Sequence, residues 1–80
     1  MSGTAQTTDS VEQARQSGLR AQAAWFAAED ALREAIRAGR PAAEQDELNR
    51  EAERTYQDNR EAHAEWEYRK RRAAEQHGTA

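Results

Sequence analysis

The chain has 80 residues, a formal net charge of −3 and no cysteine. A disulfide framework, a thiol nucleophile and a cysteine-ligated zinc are therefore excluded. With no run of ~18 apolar residues, nothing in the sequence reads as a membrane span.

Residues 1–9 are small and polar without periodicity, and read as a disordered N-terminal tail. Residues 1–10 lack both a basic start and an apolar stretch, so no secretory signal is expected and the location is taken as cytoplasmic. Asp9-x-x-Glu12 and Ser10-x-x-Gln13 have the spacing of capping boxes, which starts a helix near residue 10. Gly39-Arg40-Pro41 is the only Gly/Pro cluster in the interior. Gly39 suits the left-handed position that closes a helix, and Pro41 suits the first turn of the next. Gly78 should close the second helix, leaving 78–80 frayed. Between these marks Ala, Glu, Arg and Gln dominate, the strongest helix formers as a group. The expectation is all-α: a helix over about 10–38, a turn at 39–41 and a helix over about 41–77. Together they form one antiparallel, coiled-coil-like hairpin.

Periodicity sets how the helices meet. Ala14, Gly18, Ala21, Trp25, Ala28, Leu32 and Ile36 share one face of the first helix. On the second, Leu48, Ala52, Thr55, Asn59, Ala62, Trp66 and Ala73 follow heptad spacing. A turn centred on Arg40 pairs residues whose numbers sum to about 80. Leu32 then faces Leu48, and each tryptophan falls opposite small residues, as close packing requires.

The first helix carries more apolar surface than its partner can cover. Leu19, Ala23, Phe26 and Ala27 lie off the seam on one flank, with Ser17, Ala24, Ala31, Ala35 and Ala38 on the other. Alanine accounts for 18 of the apolar residues, leaving ten large apolar side chains beside Met1. A core that small rarely sustains a domain below ~70–80 residues without disulfides or metal. Self-association as a four-helix bundle, or docking on another protein, is expected. The partner-binding candidates are Leu19, Ala23, Phe26, Ala27, Tyr56 and His63, the last two flanking the seam on the second helix.

Two charge features compete with this reading. From Pro41 to Tyr68 the second helix holds nine acids against three arginines, best read as a solvated face braced by ion pairs. Arg69, Lys70, Arg71 and Arg72 form the only single-sign run and give the alternative, a nucleic-acid-binding accessory protein. Four consecutive helical residues point to all sides, however, and a net charge of −3 supplies no global basic field.

Chemistry-bearing constellations are missing. His63 and His77 are 14 residues apart and cannot form an HExxH site, and His63 with Glu67 makes only two ligands. Ser10 and Ser17 have no His/Asp arrangement beside them, and no glycine-rich loop could cradle phosphate. No metal, cofactor, small-molecule substrate or enzymatic activity is expected. Eleven Arg against one Lys, with abundant Ala, fits a GC-rich bacterial, phage or plasmid genome. The expected function is a small adaptor or inhibitor of that kind.

Overall fold

The computed structural model describes residues 2–78, with side chains over 9–76. Two helices, α1 (Ser2–Arg37) and α2 (Ala42–Gly78), fold back on one another as a rod of 59 × 15 × 14 Å. The all-α hairpin expected from the sequence is therefore present.

The turn is built as its residues require. Gly39 has φ of 68°. The Arg40 amide donates to the Ala35 carbonyl at 2.9 Å, and the Gly39 amide donates to Ile36 at 3.1 Å. These two bonds make a Schellman closure, which satisfies carbonyls that α1 would otherwise leave orphaned. Pro41 then caps α2, its carbonyl accepting from the Glu44 and Gln45 amides at 3.0 Å each. Arg40 donates to the Glu44 carboxylate at 2.6 and 3.0 Å and straps the start of α2 to the turn. A side chain at Gly39 would meet no neighbour, so the constraint is its positive φ alone. Gly39→Val is expected to lower stability by ~1 kcal/mol or more, read as a drop in melting temperature by circular dichroism. Gly18 is the opposite case. It lies inside a helix without positive φ, and a Cβ there would find ordinary contact with the His63 ring at 3.6 Å. Gly18→Ala should therefore raise stability by ~0.5–1 kcal/mol in the same assay.

The sequence places the start of α1 too late. Its backbone is helical from Ser2, so Asp9 and Ser10 lie inside the helix rather than capping it. No proline lies between Ser2 and Asp9, Gly3 falls in the first turn, and each residue added to a nucleated helix gains a hydrogen bond. Met1 and residues 79–80 lie outside the described residues, and with them most of the expected frayed C-terminus.

Cross-helix contacts place the register at a sum of 79 to 81. Trp25 packs in a tilted contact against Tyr56 with ring centroids 5.0 Å apart, Gly18 lies against His63, and Arg69 Nη1 donates to the Ser10 carbonyl at 3.1 Å. Ala14, Ala28, Ala35, Ala52 and Thr55 are buried. This corrects one end of the expected seam. Ile36 is 56% exposed whereas Ala35 is 6% exposed. Spacing that alternates four and three runs 14, 18, 21, 25, 28, 32, 35, and a final step of four to Ile36 leaves that seam. On α2 the same alternation passes through Arg69, which is half-buried in the seam.

Ion pairs along each helix brace the outer surface, as expected from the charge pattern. Glu51 pairs with Arg54, and Arg50 pairs with Glu47 at 2.7 Å rather than with Asp46. The carboxyls of Glu12, Glu44 and Glu47 are held below their ordinary range, chiefly by hydrogen bonds from Arg15, Arg40 and Arg50 respectively. A depressed carboxylate contributes stability above its unfolded-state pKa of about 4.3 and loses it as pH falls through the folded value. The contribution of these pairs should persist from pH 7 to about 5 and fade only below about 4. Thermal melts across that range, in low and high salt, test it; exposed pairs should give a small, salt-screened effect.

Candidate protein-interaction face

The two flanks of the hairpin differ in chemistry. Beside the α1 seam, on the flank facing Tyr56 and His63, run Arg15, Gln22, Glu29 and Ile36, bordered by Glu12, Leu19, Phe26 and Arg33. The facing row of α2 is Asn49, Tyr56, His63 and Lys70, bordered by Asp46, Glu53, Arg60 and Glu67. On the opposite flank the register sets Ser17, Ala24, Ala31 and Ala38 level with Glu65, Asp58, Glu51 and Glu44. One flank is thus aromatic and apolar at its centre, and the other is small and acidic.

Exposure singles out the first. Among the described residues the exposed large hydrophobics are Leu19 (46%), Phe26 (48%), Ile36 (56%), Tyr56 (40%) and Tyr68, and the first four all lie on this flank. Trp25 is the hub, with its ring centroid 5.2 Å from Phe26 and 5.0 Å from Tyr56. Next to it a shallow groove of about 320 Å³ is lined by Trp25, Leu32, Ala52 and Tyr56, with Glu29, Asn49 and Glu53 on its rim. Among the described residues no large side chain is fully buried. Leu32, Leu48, Trp25 and Trp66 remain half-covered, because two helices alone cannot enclose side chains of that size.

Of the residues singled out from the sequence, Leu19, Ala23 and Phe26 are exposed and adjoin along α1. Tyr56 joins them through Trp25. His63 is half-buried between Gly18 and Trp66, whose ring lies 5.8 Å away. Ala27 is exposed but lies at the far edge, a step beyond Ala23 around the helix. The sequence pattern assigns Trp25 and Leu32 wholly to the seam. In a two-helix rod a seam residue keeps one side open, and that is the signal the seam pattern hides.

The basic run is dispersed by its local contacts. Arg69 reaches across to Ser10 and pairs with Glu65 at 2.6 Å. Lys70 lies 4.4 Å over the Trp66 ring and 3.0 Å from Glu67. Arg72 donates to the Tyr68 hydroxyl at 3.4 Å, with its guanidinium over that ring, and Arg71 is exposed. Asn59 sits in the seam with a buried Oδ1 that has no hydrogen-bond partner. A polar side chain at a seam position costs stability and disfavours slipped registers.

Among the described residues no group of three or more His, Asp or Glu could hold a metal ion, and no helix is long and apolar enough to cross a membrane. Comparison with known protein families, curated proteins and solved structures finds no match to the chain.

Proposed function

We propose that this hairpin is a non-enzymatic protein-interaction module that binds through the flank carrying Leu19, Phe26 and Tyr56. It would act as a small adaptor or inhibitor of the kind bacterial, phage or plasmid genomes encode. The observation that carries this reading is that, among the described residues, four of the five exposed large hydrophobics share the flank that holds the open groove. Aromatic anchors beside a pocket, rimmed by charge, are the features from which protein interfaces draw most of their energy. Scattered exposure would not place them together. The commitment of Arg69, Lys70 and Arg72 to partners within the hairpin favours protein over nucleic acid as the ligand.

The test compares the parent chain with Phe26→Asp, both for self-association by sedimentation velocity and for retention of proteins from a host extract. Loss of all association with unchanged monomer helicity is the expected result. Equal association by both chains would overturn the reading.

A further inference from the structure

The charges around the apolar flank have an order that says what covers it. From Glu12 to Arg33 the two α1 rows of this flank read Glu12, Arg15, Leu19, Gln22, Phe26, Glu29, Arg33, with Ile36 lying one turn beyond the paired stretch. Reversed, the series is its own complement. Pairing numbers that sum to 44 or 45 sets Glu12 against Arg33, Arg15 against Glu29, Leu19 against Phe26, and Gln22 against itself. We propose that the occupant of this face is a second copy of the chain. It lies antiparallel, α1 on α1, with a two-fold axis crossing beside Gln22. The inference rests on the interaction-face reading above and adds the partner and its orientation.

The second helix supports the same axis independently. With the observed cross-helix sums of 79 to 81, an axis at Gln22 crosses α2 near Asp58. Residues of opposing copies then lie level where their numbers sum to about 116. That sets Asp46 with Lys70, Asn49 with Glu67, Glu53 with His63, and Tyr56 with Arg60. No like charges meet on either helix. A guanidinium beside a tyrosine ring is itself a favourable contact. A two-fold interface must be self-complementary in this sense, because each patch meets its own copy. The other face-to-face arrangement, with both turns at one end, lays α1 on α2 and brings Glu29 and Phe26 level with Glu53. It sets Glu29 of each copy beside Glu53 of the other, a like-charge contact that the α1-on-α1 placement avoids.

The dimensions suit a dimer. From Glu12 to Arg33 the face is about 32 Å long at the helical rise of ~1.5 Å per residue. The hairpin is 15 Å wide. Side-chain relief brings the accessible area of such a face toward the ~800 Å² per partner of a standard interface. Covering it would enclose Trp25, Leu32, Phe26 and Tyr56, none of which the isolated hairpin fully buries.

Because the chain has no cysteine, engineered thiols report the orientation directly. Gln22→Cys should give a disulfide-linked dimer under mild oxidation, and so should the double variant Glu12→Cys/Arg33→Cys. Arg33→Cys alone should not, since its two copies would lie about 31 Å apart. Arg15→Glu should weaken the dimer about tenfold, because the altered contact occurs twice, and Arg15→Glu/Glu29→Arg should restore it. If the chain dimerises and Phe26→Asp abolishes the dimer, but neither thiol design cross-links, the antiparallel placement is overturned while the face reading stands. A parent chain that stays monomeric up to millimolar concentration overturns the second copy as occupant. A dimer indifferent to both Phe26→Asp and the thiol designs overturns the inference and the face reading together.

Discussion

Phe26→Asp is expected to raise the dissociation constant of the assembly by at least about a hundredfold. Phe26 is 48% exposed in the hairpin, so its ring contributes little to holding the two helices together. On a solvated helix surface such a change costs ~0.5 kcal/mol or less. In a desolvated interface the aspartate is an unpaired charge, which costs about 3–5 kcal/mol, and each ~1.4 kcal/mol is tenfold in affinity. The contrast between the two environments is the diagnostic. Helicity of the dilute monomer should be unchanged while the concentration-dependent species disappears. Ala27→Asp, at the edge of the face, should weaken association far less, which separates a local effect from a change in net charge.

Ala28→Asp is expected to cost about 3–5 kcal/mol of folding stability, enough to unfold a hairpin this small. Ala28 is 8% exposed and Ala52 is 7% exposed, and the register sets them opposite one another. Their small side chains let the helices approach closely, leaving no room for a hydrated carboxylate. Ala31→Asp places the same group on the exposed small-residue flank, level with Glu51, and should change melting by ~1 kcal/mol or less. Circular dichroism melts of the two variants measure the difference. Similar melting of both would mean that the alanine seam is not where the helices meet.

Most of the fold was legible in the sequence because few signals competed. One Gly-Arg-Pro cluster in a chain of helix formers leaves a hairpin as the natural result, and Gly39 adopts the positive φ its position requires. Heptad spacing identified the seam from Ala14 to Leu32. It went astray at Ile36 because apolar size was preferred to the 4-3 alternation, which Ala35 continues. Arg69 escaped notice for a related reason. A charged residue was not expected in a seam, yet its long stem lets the guanidinium reach Ser10 across the helix pair. The capping boxes at Asp9 and Ser10 misled because a capping pattern permits a helix start without forcing one. Leu19 and Phe26 were visible as excess apolar surface, whereas the roles of Trp25 and Tyr56 depended on seeing which flank the seam leaves open.

Trp25 stands at the centre of that flank and reports directly on whether something covers it. In a Trp66→Phe background it is the only tryptophan, so its iodide quenching can be followed from dilute to concentrated solution. Coverage of the Leu19–Phe26–Tyr56 face predicts strong quenching when dilute. As the assembly forms, protection and a blue-shifted emission should appear, and Phe26→Asp should remove both. Quenching of Trp25 that stays the same at every concentration would contradict the account.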